Sequence, residues 1–366
     1  MAFGSISVDK ITDSEGSVFS PSSALFRNRI INGDMRIDQR NAGANVSASG
    51  AGVLAVDRWT TVENSDGTGT VQQVTDAPDG FSNSHIFTTG TADTSLAATQ
   101  YVRVGQIIEG NNIADLAWGT ASAKTITLSF WTKSSLTGTF GGAVSNDGRD
   151  RSYPFTYTIS VADTWEYKTV TIPGETTGTW LTNNGIGLRL TFGLGYGSTY
   201  SGTAGSWAST RYESATGAVS VIGTASATWY VTGVQLEVGS VATPFERRPY
   251  GTELALCQRY FYMHASSNDK TIGRGGYYTS TQVECGIPFP VTMRATPTLF
   301  SVTGTSFYVA YRNGAGDDLN SLTLAGETTN TCAAAYNNSE ASGTAGHYAH
   351  LVIANANAYI GFSAEL

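Results

Sequence analysis

The sequence is poor in charged residues and especially in lysine. Lysine occurs only five times in 366 residues, and Asp, Glu, Lys and Arg together make up 14% of the chain. Long helices depend on such residues on their solvent faces, so this composition excludes a helix-rich protein. The formal net charge is -8, and no stretch clusters basic residues. The chain therefore has no electrostatic surface for nucleic acid.

Long apolar runs are also missing, and cysteine is scarce. No run of 18 apolar residues is present, so the sequence predicts no membrane insertion. The N-terminal MAFGSISVDKITDSEG has neither the basic nor the apolar region of a secretory signal. Cys257, Cys285 and Cys332 are odd in number and contain no CxxC pair. They indicate three buried thiols in a protein made in a reducing cytoplasm, without disulfides.

What the chain does contain is typical of β-structure. Glycine, threonine and serine fill about a third of the positions, and Thr, Val, Ile and aromatic residues alternate between glycine-containing turns. Runs with a period of two predict strands at residues 101–108, 124–133, 152–160, 165–172, 187–194 and 228–238. The predicted fold class is all-β, with an antiparallel jelly-roll sandwich followed by a second, smaller β-sandwich.

The length fits two domains behind an extended N-terminal arm. Residues 1–26 are too few to enclose a core, so they are predicted to form an arm that docks on a partner. Residues 27–250 are predicted to form the larger sandwich, and residues 251–366 the smaller one. The turn Asn32-Gly33 predicts a hairpin at the start of the larger domain. Short helices are predicted at residues 112–118 and 253–262.

No catalytic motif is recognisable. The chain has no GxSxG, HExxH or phosphate-binding loop, so the sequence predicts that the protein is not an enzyme and carries no cofactor. The acid pairs Asp147/Asp150 and Asp317/Asp318 lie in turns, where Asp caps backbone amides. Two alternatives stay open: such acids serve glycan cleavage, or the loop that starts at Asn146 holds a structural Ca²⁺ ion.

Aromatic residues, 11% of the chain, are the best functional signal. Rings offer an apolar platform to a sugar while their polar tips bond to hydroxyls. Five of them lie in a Gly/Ser/Thr-rich part that resembles long loops, which favours a carbohydrate-binding role: Trp180, Tyr196, Tyr200, Trp207 and Tyr212. In an oligomer the same rings would instead line a subunit interface. Four others lie within alternating strands and are predicted to be core: Phe130, Trp131, Trp165 and Tyr230.

The second domain has its own set of aromatic and basic residues. They are predicted to form a receptor-binding tip if this domain is distal: Arg274, Tyr277, Tyr278, Tyr308 and Tyr311. Adjacent strand residues point to opposite faces, so at most one of Tyr277 and Tyr278 belongs to a core with a single buried face.

Four blocks of sequence carry a family resemblance. They read NRIINGDMRIDQRNAG, VGQIIEGNNIADLAWGTASAKTITLSFWTKSSLTGTF, RSYPFTYTISVADTWEYKTVTIPGETTGTW and TWYVTGVQLEVGSVATPFERRPYGTELALCQRYF. In their order and spacing they resemble a family of bacteriophage tail-fibre and virion structural proteins. The terminal IGFSAEL also resembles the way such fibre chains end, and ISVDKIT resembles their short attachment arms.

The resemblance implies a function as well as a fold. It implies a jelly roll similar to carbohydrate-binding modules, carried on a homotrimeric fibre that another virion protein holds through residues 1–26. The expected work is adsorption of the virion to a host surface glycan, through weak contacts multiplied by multivalency. Three alternatives stay open: a head fibre or capsid decoration protein, a glycan-cleaving tail spike, and a structural subunit without a ligand.

Overall fold

The computed structural model describes residues 11–12, 18–19 and 26–366. The predicted attachment arm, residues 1–26, thus lies outside the described residues except for two short strands and Phe26. The chain divides into two compact units, Met1–Arg248 and Pro249–Leu366. None of the helices in the described residues has the length and apolar character needed to cross a membrane.

The first unit is a sandwich of two six-stranded antiparallel sheets. Its strands are β1 (Ile11–Thr12), β2 (Val18–Phe19), β3 (Val46–Ser47), β4 (Gly50–Val56), β5 (Trp59–Asn64), β6 (Gly69–Val74), β7 (Ser84–Thr89), β8 (Tyr101–Glu109), β9 (Ile126–Ser134), β10 (Gly138–Ser145), β11 (Ser152–Ile159), β12 (Glu166–Ile172), β13 (Ile186–Tyr196), β14 (Ser201–Gly202), β15 (Ser214–Ala215) and β16 (Thr228–Val238). The front sheet has the order β12-β9-β16-β7-β6-β3, and the back sheet has the order β11-β10-β13-β8-β5-β4. The other four strands form two separate two-stranded sheets, β1-β2 and β14-β15.

The core of this unit lies between the two sheets and is rich in aromatic rings. Trp59, Phe87, Phe130 and Trp229 are fully buried there. The Trp229 indole Nε1 donates a hydrogen bond of 3.0 Å to the Tyr157 hydroxyl, so this buried polar group has a partner. Alternation within each strand makes this core, because every second side chain of a strand points inward.

The second unit is a smaller sandwich of a three-stranded and a seven-stranded sheet. Its elements are α1 (Tyr250–Gln258), β17 (Phe261–Ser266), β18 (Thr271–Thr279), β19 (Gln282–Pro288), β20 (Thr298–Ser301), β21 (Tyr308–Arg312), β22 (Ala315–Leu319), β23 (Thr323–Leu324), β24 (Cys332–Asn337), β25 (Tyr348–Ile353) and β26 (Tyr359–Ser363). The sheet orders are β17-β26-β20 and β22-β21-β25-β18-β19-β24-β23. Cys285 is buried in this unit, Cys257 is buried in α1, and Cys332 is only half-buried.

The predicted fold class is confirmed, and three local predictions are wrong. Residues 27–40 form no hairpin, because the Asn32 amide bonds to the Ile37 and Asp57 carbonyls and holds a compact turn there. The helix predicted at 112–118 is replaced by two 3₁₀ turns, Gly110–Asn112 and Ala114–Leu116. The helix predicted at 253–262 ends at Gln258, and Phe261 already begins β17.

His85 in β7 gives the first unit a testable pH dependence. Its ring is fully buried, and among the described residues neither nitrogen has a hydrogen-bond partner. Burial lowers the pKa of His85 to about 4, while an unfolded chain has an ordinary histidine pKa. Between these values the unfolded state binds the extra proton, so stability falls as the pH falls.

We expect His85→Leu to remove this contribution. On going from pH 7 to pH 4.5, the free energy of unfolding of the wild type should fall by about 2–3 kcal/mol more than that of the variant. Urea unfolding of both proteins at the two pH values measures the difference, and the comparison cancels the other titrating groups. Equal pH dependence in the two proteins would show that His85 titrates normally in the fold.

Candidate functional site

Two of the rings that the sequence predicts to be exposed, Trp180 and Trp207, belong to a tryptophan cluster at the edge of the core. The Trp180 ring lies 4.6 Å from Trp118 and 5.8 Å from Trp207, between centroids, and only 8% of Trp180 is exposed. The Trp180 and Trp207 indoles donate to the carbonyls of Thr177 and Pro173. The prediction of an exposed sugar platform is therefore wrong for Trp180, which is buried. Trp207 meets it edge to face and is half-buried, so its role in sugar binding stays a prediction.

The other three rings of that prediction pack on the back sheet. Tyr196 ends β13, stacks on Tyr101 with centroids 5.5 Å apart, and donates a 2.9 Å hydrogen bond to the buried Glu213. Burial, followed by the Glu213 charge, raises the pKa of Tyr196 well above its ordinary value. Tyr200 meets the edge of Tyr101, and Tyr212 covers Gly202. These rings are half-buried rather than exposed on free loops.

The glycines of this segment explain the error. A Cβ atom on Gly197 would lie 2.1 Å from the Ala97 carbonyl oxygen, and one on Gly202 would lie 2.3 Å from the Tyr212 ring. Glycine is therefore required here for close packing of the segment, whereas the sequence pattern is also typical of flexible loops.

The five residues predicted in the second unit divide between core and surface. Tyr277 and Tyr308 are buried, and their hydroxyls donate to the Asp317 carboxylate and to the Val302 and Tyr359 carbonyls. Burial, followed by the Asp317 acceptor, raises the pKa of Tyr277 to about 12. The prediction that Tyr277 and Tyr308 form an exposed tip is wrong, because the inward positions of β18 and β21 are core.

The remaining three residues of that set are exposed on the seven-stranded sheet. In the strand register, Arg274 of β18 and Tyr311 of β21 lie opposite His350 of β25, the strand between them. Tyr278 is 71% exposed. Tyr348 of β25, which the sequence pattern does not distinguish from core tyrosines, is 55% exposed. The prediction that only one of Tyr277 and Tyr278 is core is confirmed.

The front sheet carries a groove of about 710 Å³ on its outer face. Four aromatic side chains line it and define what we call the aromatic groove: Phe81, Trp131, Tyr167 and Phe245. The rest of the lining is small or hydroxylated, apart from one arginine: Ser129, Gly233, Ala242, Thr243, Pro244 and Arg247. A volume of this size is in the range of small-ligand sites.

Strand alternation and register place two rings side by side. Phe130 of β9 points into the core, so Trp131 points outward and is half-buried. Tyr167 of β12 is the direct antiparallel partner of Trp131, and their ring centroids lie 5.4 Å apart. The prediction that Trp131 is core is wrong, since the core takes Phe130 and the groove takes its neighbour.

A glycine in β16 lets a third ring approach Trp131. Gly233 lies in an irregularity of the β16–β9 register and has a φ of +62°, which favours glycine. A Cβ atom at this position would lie 2.7 Å from the Phe81 ring and 3.1 Å from Trp131. The absence of a side chain at 233 therefore keeps the floor of the groove open between these two rings.

The segment before the end of the first unit closes one side of the groove. Phe245 meets Phe81 edge to face at 5.2 Å between centroids. The guanidinium of the exposed Arg247 lies 4.7 Å from the Phe81 centroid. The groove thus combines ring faces with one cationic donor group, so it is suited to a ligand with apolar C–H faces and polar edges.

Beside the groove, the same sheet face holds a cluster whose polar groups bond to one another. The Lys133 ammonium lies 4.3 Å from the Tyr230 centroid and 5.3 Å from that of Trp165, and it pairs with Asp76. The Trp165 indole donates to Asp76 at 3.1 Å. Trp165 and Tyr230 are half-buried in this cluster, so their prediction as core is wrong. Tyr230 points outward because Trp229 and Val231 of β16 are buried, and Trp165 precedes β12 rather than lying within a strand.

The acidic side chains of the described residues do not gather into a metal site. Within residues 26–366, no group of three or more His, Cys, Asp or Glu residues is placed to hold a metal ion. In the loop considered for Ca²⁺, the Asn146 amide donates to Asp150, and Arg189 pairs with Asp147. Calcium binding by this loop stays a prediction from the sequence.

Fold and groove together define a β-sandwich protein with an aromatic surface groove. No protein-family model and no curated protein matches the chain. Among solved structures it is similar to the enzymatically active domain of tailspike protein 4 of bacteriophage CBA120, at 13% identity and a TM-score of 0.33, over 58% of this chain and 22% of that chain.

Two carbohydrate-binding modules are also similar to the chain. One is the CBM22-1 xylan-binding domain from Paenibacillus barcinonensis, at 14% identity and a TM-score of 0.27, over 56% of this chain and 99% of that one. The other is a family 11 module from Clostridium thermocellum, at 13% identity and a TM-score of 0.26, over 54% and 93%. Function is therefore inferred from the side chains of the groove.

Proposed function

We propose that this protein binds a glycan in the aromatic groove without cleaving it. The observation that carries the proposal is the set of four rings around an open volume of about 710 Å³, with Arg247 at its edge. Ring faces contact the C–H faces of sugars, and the arginine and hydroxyl groups at the rim bond to sugar hydroxyls. An open groove admits an internal stretch of a polysaccharide, as adsorption to a cell surface requires.

The sequence resemblance supports a more specific form of the proposal. In it the chain is a bacteriophage tail-fibre protein, a homotrimer held to another virion protein by residues 1–26, with the second unit at the distal end. Individually weak glycan contacts then give firm adsorption, because three copies in each fibre and many fibres on each virion raise the effective concentration. The exposed face with Arg274, Tyr278 and Tyr311 is the part of the second unit available for this contact.

Binding and cleavage are separated by one experiment on the full chain. We expect the purified protein to bind bacterial surface polysaccharides on a glycan array. We expect it to release no new reducing ends from these polysaccharides during long incubation. Release of reducing ends would contradict the non-catalytic proposal and indicate a glycan-cleaving spike. Failure to bind any polysaccharide would contradict glycan binding itself and favour a structural subunit.

The place in the virion needs a second measurement. An antibody against residues 252–366, imaged on intact virions, is expected at the outer ends of the tail fibres. Label over the capsid would contradict the tail-fibre proposal and identify a head fibre or decoration protein. Glycan binding is tested separately, by the array experiment.

A further inference from the structure

The outer face of the back sheet carries a group of arginines that the aromatic groove does not use. They define what we call the arginine cluster: Arg103 of β8, Arg149 of the loop between β10 and β11, Arg189 of β13, and Arg211. Arg103 points outward because its neighbours Val102 and Val104 are fully buried in the core.

Positive charge exceeds negative charge in this cluster. Glu213, only 3% exposed at its side chain, pairs with Arg211 at 2.7 Å, Arg149 at 3.3 Å and Arg103 at 3.4 Å. Arg189 pairs with Asp147 at 2.9 Å. Four guanidinium groups thus face two carboxylates, which leaves two positive charges without a counterion in these pairs.

The guanidinium groups have donors to spare. The buried Nε of Arg189 and the buried Nη2 of Arg211 have no hydrogen-bond partner among the described residues, whereas the Nε of Arg103 is the atom that faces Glu213 at 3.4 Å. Burial lowers the pKa of Arg149, and Glu213 opposes that shift. The charges of Arg189, Arg211 and Arg103 lower it further, so like charges repel here. An added oxyanion would relieve the repulsion and accept from the spare donors.

Tyrosine rings lie next to these cations. The Arg211 guanidinium lies 4.2 Å from the Tyr200 ring centroid and 5.7 Å from that of Tyr101. Tyr200 is half-buried, so part of it stays open to solvent. A cationic group beside a ring matches a sugar that carries an anionic substituent, because the ring contacts the sugar while the guanidinium binds the anion.

We propose that the arginine cluster is a second ligand site, which binds the oxyanion of an acidic sugar, a carboxylate or a phosphate, with Tyr200 beside the sugar ring. The site lies on the sheet opposite to the aromatic groove. It would let one protomer contact an acidic surface polysaccharide at two places, and its anion affinity does not depend on the groove.

The test compares acidic and neutral sugars. Trigalacturonate carries the carboxylate, mannose 6-phosphate carries the phosphate, and galactotriose is the neutral reference. We expect calorimetry at low salt to detect one or both acidic sugars and not galactotriose, with affinity falling as salt rises. Comparison of trigalacturonate with mannose 6-phosphate identifies which oxyanion the site binds. Binding that is equal for galactotriose, or absent for both acidic sugars, would overturn the proposal.

Variants assign the binding to the cluster. Arg149→Gln should weaken acidic-sugar binding about tenfold, the usual value of a hydrogen bond to a charged group, and relief of repulsion should preserve the fold. Asp147→Asn removes a competing carboxylate and should strengthen binding severalfold. The matched charge changes Lys270→Gln and Asp318→Asn in the second unit should have less than a twofold effect.

Repeating the titration in a Trp131→Ala background tests whether the acidic sugar binds in the aromatic groove instead. Unchanged affinity for the acidic sugar there is expected, and the Arg149→Gln effect should persist. Wild-type affinity in Arg149→Gln, or an equal loss in Lys270→Gln, would overturn the proposal. Loss of acidic-sugar binding in Trp131→Ala would also overturn it, since the ligand would then occupy the groove.

Discussion

Replacing Trp131 by alanine is expected to weaken binding of a neutral glycan about tenfold. Trp131 contributes the largest ring to the groove, lies beside Tyr167, and has its other side next to Phe81 across Gly233. Loss of this ring removes the stacking surface and widens the groove. An aromatic contact with a ligand ring is worth about 1–2 kcal/mol with its buried area, which corresponds to about a tenfold change in affinity.

The matched control for this variant is Trp165→Ala. Trp165 is also a half-buried tryptophan by the front sheet, but it packs on Tyr230 and bonds to Asp76 outside the groove. Affinity electrophoresis or calorimetry with a polysaccharide from the array should show a large loss only for Trp131→Ala. An equal loss in both variants, or none in Trp131→Ala, would contradict the assignment of the site. Thermal unfolding of both variants checks that the sandwich is intact.

Glu213→Gln is expected to lower the free energy of unfolding of the first unit by about 3 kcal/mol. Removing one partner of a buried ion pair leaves the other charge uncompensated, at a cost of about 3–5 kcal/mol. Here Arg103, Arg149 and Arg211 would all lose their shared carboxylate, and their partial exposure puts the cost at the lower end. For a unit of this size, 3 kcal/mol lowers the unfolding temperature by about 6–12 °C.

Asp147→Asn is the control for that destabilisation. Asp147 is 43% exposed at its side chain and pairs with Arg189, so its loss should cost less than about 1 kcal/mol. Urea unfolding at pH 7 compares the two variants.

Burial raises the pKa of Glu213, but the three arginines outweigh it and lower the pKa overall. The Glu213 contribution is therefore present above the ordinary carboxyl pKa and is lost as the pH falls through the lowered value.

An equal, small effect of both variants would show that the arginines do not depend on Glu213. The pH dependence provides a further check, because Glu213→Gln should remove part of the acid sensitivity of the first unit. The remaining part is assigned to His85, whose protonation also favours the unfolded state.

The strand pattern of the sequence predicted the architecture well and the site poorly. Alternation in KTITLSFWTK correctly indicates β9 and shows that Phe130 and Trp131 lie on opposite faces. It also indicates which face is core, because Phe130 shares its face with Ile126 and Leu128, whereas Trp131 shares its face with Thr127, Ser129 and Lys133. The prediction that Trp131 is core overlooked this pattern. The pattern of the neighbouring strand β12 points the wrong way, because charged Glu166 and Lys168 on either side of Tyr167 favour an inward ring, whereas Tyr167 is 44% exposed and lines the groove.

The glycine-rich segment of the back sheet shows the opposite error. Its composition favours loops with exposed rings, yet Trp180 and Trp207 lie in a tryptophan cluster and Tyr196 is tied to Glu213. Small residues permit both flexibility and close packing, and only the partner backbone at Ala97 and Ala98 decides between them.

The sequence by itself determined that this protein is an all-β chain of antiparallel sandwiches, since alternation and turn residues act within about ten positions of one another. Only the tertiary structure decided which rings and charges meet. Trp131, Tyr167 and Gly233 come from strands far apart in the chain, and their register is set by the packing of the whole sheet.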